Sequence, residues 1–83
     1  MDKQQIVKLL ARKYREEYAR YFVMERLARE ALDEGDKIGY KAINRRARSE
    51  SLFMDGMKAA VVALGISEAD FMTVVNMDRK EAE

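Results

Sequence analysis

The chain has 83 residues, the length of one domain, and its 16 basic and 15 acidic residues give a net charge of +1. It contains no Cys and no His, which excludes disulfides and thiolate metal sites and removes the commonest catalytic base. Hydrophobic residues make up 48% and charged residues 37%, too apolar for a disordered chain and too charged for a membrane span. The balanced charge favours neither nucleic acid nor an anionic membrane as a partner.

The longest uncharged run, residues 59–67, is far shorter than the ~20 residues that a membrane-spanning helix needs. The N-terminus has no charged segment leading into an apolar one, the pattern of a signal peptide. We therefore expect a cytoplasmic protein with no membrane partner. The chain has no Pro and is rich in Ala, Leu, Met, Arg, Lys and Glu, which predicts an all-α fold.

A first helix is predicted over residues 3–34. Asp2 can cap its N-terminus, and Gln5 completes a capping-box pattern. Gly35 suits the left-handed position that ends a helix. Apolar residues recur on one face at spacings of three, four and seven: Ile6, Leu10, Tyr14, Tyr21, Met24, Ala28 and Ala31, with Val7, Tyr18 and Leu32 widening the stripe.

A second helix is predicted over residues 37–64, with Asp36 as its cap and Gly65 as its stop. Its apolar seam again has steps of three and four, through Tyr40, Ile43, Ala47, Met54, Met57, Val61 and Leu64. A short third helix is predicted over residues 68–78, capped by Ser67. Its apolar face, formed by Phe71, Val74 and Val75, should fold back onto the first two helices.

The connection between the two long helices is only two or three residues, so they must lie antiparallel. The predicted fold is a single all-α domain, residues 1–83, built as a long antiparallel helical hairpin with a short C-terminal third helix. The first helix carries more apolar surface than one partner helix can cover. We therefore expect the chain to form a homodimer, as a four-helix-type bundle.

Four aromatic residues of the first helix are the candidate apolar interface: Tyr14, Tyr18, Tyr21 and Phe22. Tyrosine is favoured at interfaces because it buries a ring and keeps a hydroxyl for water or a partner. The alternative is ordinary core packing. The clustering of three tyrosines on one helix face favours the interface.

A basic stripe is the candidate electrostatic interface. Lys37, Lys41, Arg45 and Arg48 follow one face of the second helix over about 16 Å. One interpretation is a solvated face whose cations pair with carboxylates of the first helix. The others are contact with an acidic protein or, with less support, with the phosphates of nucleic acid.

Glu17 and Glu50 occupy seam positions of their helices, between apolar neighbours. Each has a cation four residues earlier, Lys13 and Arg46 respectively, and a seam carboxylate paired in this way can set register and oligomeric state. The alternative is a Mg²⁺ or Mn²⁺ site whose carboxylates come from both copies of a dimer. Pairing is the favoured interpretation, so no metal ligand is assigned.

The sequence shows neither a Gly-rich phosphate loop nor a nucleophile with a base. It predicts a small non-enzymatic adaptor, regulator or inhibitor that acts through protein–protein contacts as a homodimer, without a cofactor. The expected partner is a second copy, or another protein with an acidic or apolar groove. Two alternatives remain: a nucleic-acid-binding accessory protein that uses the basic stripe, and a carboxylate–metal helical-bundle enzyme.

Overall fold

The computed structural model describes the backbone of residues 1–82 and the side chains of residues 1–77. That part of the chain folds into three helices: α1 (Lys3–Asp33), α2 (Lys37–Ala63) and α3 (Glu68–Ala82). α1 and α2 form the hairpin, and α3 packs mainly against α1. The predicted hairpin with a third helix is confirmed, and the homodimer stays a prediction. α3 extends to Ala82, beyond the end predicted near residue 78.

Each helix begins at the side-chain cap expected from the sequence. At α1 the Gln5 backbone N–H donates to Asp2 Oδ1 over 2.8 Å, and the Asp2 N–H donates to Gln5 Oε1 over 2.9 Å. Asp36 caps α2 through the Gly39 N–H, and Ser67 caps α3 through the N–H of Asp70. These bonds satisfy backbone donors that the first turn of a helix leaves unpaired.

The two long helices end in the same way, at glycines in the left-handed region. Gly35 has a φ of +78° and Gly65 a φ of +87°. At the C-terminus of α1, the Gly35 N–H donates to the Leu32 carbonyl and the Asp36 N–H donates to the Ala31 carbonyl. This Schellman arrangement closes α1 and turns the chain at once into α2.

The residues of the main core lie where all three helices meet, at the end of the hairpin away from its turn. They are Val7, Ala11 and Tyr14 from α1, Met54, Met57 and Val61 from α2, and Phe71 and Val75 from α3. Towards the hairpin turn the buried residues are alanines: Ala28, Ala31 and Ala47. Since α3 does not cover that end, only the narrow seam between two helices is shielded from water.

The chain is elongated, with extents of 48 × 29 × 20 Å and a radius of gyration of 15.3 Å. A compact domain of this length has a radius of gyration of about 12 Å. The solvent-accessible surface is 6336 Å², whereas a compact monomer of this mass exposes about 5,100 Å². The monomer therefore exposes roughly a quarter more surface than a compact protein of its size.

Within the described residues, no single helix is long and apolar enough to cross a membrane. Among the described residues, one pair of helical segments matches a membrane span in length and composition when taken together. The pair is Lys37–Ala63 and Glu68–Met77, with a bend of 114° between them. Val61 of the first and Phe71 of the second are buried in the core of the domain.

Candidate interaction surfaces

Tyr14 does not belong to an exposed interface. Its side chain is buried, and its ring meets the ring of Phe71 edge to face with a centroid distance of 5.6 Å. Lys58 Nζ lies 5.7 Å from the centroid of the Tyr14 ring. The expectation of an interface role for Tyr14 is thus corrected: α3 covers this part of the aromatic cluster and makes Tyr14 a core residue.

Tyr21 is half-buried and packs against the edge of the core. Its hydroxyl donates a hydrogen bond of 2.5 Å to Glu25 Oε1, one turn further along α1. This hydrogen bond, with smaller contributions from burial and from the Glu25 charge, raises the pKa of Tyr21 above its usual 10.0. Tyr21 therefore has an intramolecular partner for its polar end.

Tyr18 and Phe22 are the exposed part of the aromatic cluster, with 51% and 59% of their surface accessible. They line a groove of about 730 Å³ between α1 and α3, with Val23 on one side and Met72 and Val75 on the other. We call it the α1/α3 groove. Nearer the N-terminus of α1, the same face of α1 is covered by α3. The groove begins where that cover ends.

The four cations of the predicted basic stripe, Lys37, Lys41, Arg45 and Arg48, are all exposed. None of them forms an ion pair with another described residue. The interpretation in which they pair with carboxylates of α1 is therefore not realised in the described part of the chain. Four neighbouring cations remain available to a partner.

The outer face of α2 also holds a second helical seam that the sequence reading missed. Its exposed residues follow one another in alternating steps of three and four: Ile38, Lys41, Arg45, Arg48, Leu52, Asp55, Ala59 and Val62. We call this row the outer seam. Ile38 and Leu52 are 85% and 70% exposed, unusually high for large apolar side chains on an ordered helix. A search for heptads among exposed as well as core positions would have found it.

A smaller groove of about 390 Å³ lies beside the outer seam, where α2 turns into α3. Asp55, Ala59 and Val62 line it from the seam, together with Lys58 and Glu68. We call it the α2/α3 groove. Lys58 pairs with Glu68 over 3.5 Å, whereas Asp55 has no ion-pair partner among the described residues.

Glu17 is buried and forms the pairing predicted from the sequence. Its Oε1 lies 3.3 Å from Lys13 Nζ and 3.3 Å from Arg20 Nη1, on either side along α1. Glu50 is half-buried, and no described residue forms an ion pair with it, so the expected Arg46 pair is not made. The two seam carboxylates therefore differ in their surroundings.

No group of three or more acidic side chains within the described residues is placed to hold a metal ion. Glu17 already has two cationic partners, which compete with a metal for its oxygens. Comparison with protein-family models, curated proteins and solved structures gives no match to any of them. The candidate function therefore depends on the exposed surfaces described above.

Proposed function

We propose that this chain is a small non-enzymatic interaction module, an adaptor, regulator or inhibitor, that works through protein–protein contacts as a homodimer. The surplus of exposed surface carries the proposal. The 6336 Å² monomer exceeds a compact one by about 1,200 Å², and a standard protein interface buries about 800 Å² on each partner. Association with protein is a common way for a small chain without disulfides to cover such a surplus.

The α1/α3 groove supports this proposal with a specific docking site. Its walls are two helices, its lining is mostly apolar, and Tyr18 and Phe22 stand at its edge. An amphipathic helix of a partner protein fits such a groove, because it can extend along α1 the packing that α3 begins. Aromatic residues are effective anchors since they bury large areas at a small cost in rotamer entropy.

Nucleic-acid binding is the second candidate, supported by the four exposed cations of α2, which have no ion-pair partner among the described residues. It has less support than protein binding, because Ile38 and Leu52 share that face and phosphates offer no counterpart to apolar side chains. A gel-shift assay with duplex and single-stranded probes at ~50 mM salt tests it, since phosphate contacts are strongest at low salt. Retardation that is lost on combining Arg45→Ala with Arg48→Ala would favour this candidate.

Sedimentation equilibrium of the full chain between about 1 and 100 μM tests the proposed assembly. The expected mass is twice the monomer mass of 9.6 kDa, with dissociation only at the lower concentrations. A single species of monomer mass at 100 μM would overturn the homodimer.

The groove is tested separately with amphipathic helical peptides selected from a random library for binding to the wild-type chain. Phe22→Asp should weaken their binding at least tenfold, because a charge replaces one of the two exposed aromatic anchors of the groove. Leu9→Asp is the matched control, since Leu9 is 53% exposed on the same helix and does not line the groove. Equal binding to both variants would show that the peptides dock elsewhere and would contradict a role for the groove.

A further inference from the structure

We propose that the second copy in this homodimer docks along the outer seam of α2. The two α2 helices run antiparallel, and the two-fold axis crosses the outer seam at the level of residue 50, between Arg48 and Leu52. This inference rests on the proposed homodimer and adds its surface, its orientation and its register. It leaves the α1/α3 groove free for another protein.

The charges of the outer seam are complementary to themselves in this arrangement. In an antiparallel pair centred on residue 50, residues equally far before and after that position stand opposite one another. Arg45 then faces the partner's Asp55, and the two-fold axis repeats this contact on the other side. Both side chains are exposed and without an ion-pair partner among the described residues of the monomer.

The apolar members of the seam pair in the same register. Ile38 faces the partner's Val62, so two large exposed apolar side chains cover each other at each end. The two Leu52 side chains flank the axis, within about 6 Å of each other along the helices. The remaining cations, Lys41 and Arg48, lie level with Ala59 and Leu52 of the partner subunit. Their aliphatic stems can cover these residues while the charged ends reach water.

Other registers lose these contacts. A parallel pair in register places Arg45 against the partner's Arg45, which is repulsive. An antiparallel pair shifted by one heptad sets Arg45 against the partner's Arg48 in one direction and against the partner's Val62 in the other. Only the register centred on residue 50 satisfies both the charged and the apolar contacts.

The surroundings of the seam leave room for a second helix. One flank carries a small residue at every seventh position, namely Ala42, Ser49, Gly56 and Ala63, and all four are exposed. An added Cβ on Gly56 would have no atom within 4 Å in the monomer. The first turns of the partner's α2 would lie over the α2/α3 groove, where Glu68 adds an acidic side chain near the partner's Lys41. The seam from Ile38 to Val62 extends about 36 Å, long enough for a stable helix pair.

Charge reversal at the two opposed positions tests the register. Arg45→Glu alone places two acidic pairs across the interface, and Asp55→Arg alone places two basic pairs there. Each variant should raise the dimer dissociation constant at least tenfold. An equimolar mixture of the two should form a heterodimer with near-wild-type affinity, because both contacts then join opposite charges.

Lys8→Glu is the matched control for Arg45→Glu, since it makes the same change in net charge at an exposed position on α1. Circular dichroism checks that every variant is folded, as expected for exposed positions. Wild-type dimer affinity in both single variants, with no preference for the mixed dimer, would overturn the register while the proposed homodimer stands. A monomeric wild-type chain would overturn both.

Disulfide crosslinking gives an independent readout, because the chain has no native Cys. Ser49→Cys lies next to the axis and should crosslink two copies rapidly under mild oxidation. Ala42→Cys lies on the same flank, but its two copies would be about 24 Å apart along the helices, so it should not crosslink. Equal crosslinking of the two variants would contradict the antiparallel register.

Discussion

The rings of Tyr14 and Phe71 meet edge to face, with centroids 5.6 Å apart and an interplanar angle of 83°. This geometry is favourable for aromatic pairs because the positive edge of one ring meets the negative face of the other. The contact joins the middle of α1 to the first turns of α3. Together with the buried Val75, it attaches the third helix to the hairpin.

Phe71→Ala should lower the free energy of unfolding by about 3–5 kcal/mol, because it removes a fully buried ring from a core of few large side chains. Urea denaturation followed by circular dichroism measures the loss. Met77→Ala, at an exposed position of the same helix, is the control and should change stability by less than about 0.5 kcal/mol. A loss below about 1 kcal/mol for Phe71→Ala would show that α3 contributes little to the fold.

Glu17→Met should preserve or increase stability, by up to about 1 kcal/mol. The Glu17 side chain is buried, whereas Lys13 and Arg20 are about half exposed and keep most of their hydration without it. A well-packed apolar side chain then replaces a desolvated carboxylate. Thermal and urea denaturation measure the change, with Glu16→Met as an exposed control. A strong loss of stability would indicate that the carboxylate itself is needed at the seam.

Gly35→Ala and Gly56→Ala should have effects of opposite sign. Gly35 has a φ of +78°, so an alanine there is strained and should cost about 1–2 kcal/mol. Gly56 is helical with open space around it, so alanine should raise the free energy of unfolding by up to about 1 kcal/mol. Denaturation at low protein concentration compares the two. Equal signs would contradict this assignment of the two glycines.

Tyr21 should titrate above 10.0, and its ultraviolet phenolate absorbance measures the midpoint. Because the folded pKa lies above the unfolded one, the Glu25 hydrogen bond contributes stability below pH 10. That stability is lost as the pH rises through the folded pKa. Glu25→Gln should lower the titration midpoint of Tyr21 towards the ordinary value. Tyr21→Phe should remove the part of the absorbance change that belongs to Tyr21. An unchanged midpoint in Glu25→Gln would show that the hydrogen bond is not made in solution.

The local elements could be predicted because short-range chemistry controls them. The Asp2 cap and the Gly35 stop depend on residues within four or five positions, and both hold in the folded chain. The candidate interaction sites were harder to predict from the sequence. The charges of Arg45 and Arg48 mark them in the sequence as candidate interface residues. Ile38 and Leu52 beside them have no such mark, because they lie outside the apolar seam that faces the core. The spacing of the outer seam could have been found from the sequence by a heptad search beyond the core faces, whereas its exposure is known only from the structure.

The residue sequence by itself determined three helices, their caps and the face that each turns inward, since propensity, capping and period act within a turn or two of the chain. It could not distinguish Tyr14 from Tyr18, which lie four residues apart on the same side of α1. Only the tertiary structure decided that α3 covers Tyr14 and leaves Tyr18 exposed, because α3 is distant in sequence and its position on α1 is set by packing. The same limit applies to Glu17 and Glu50: the first is buried between two cations of its own helix, whereas the second is half-buried and has no ion-pair partner among the described residues.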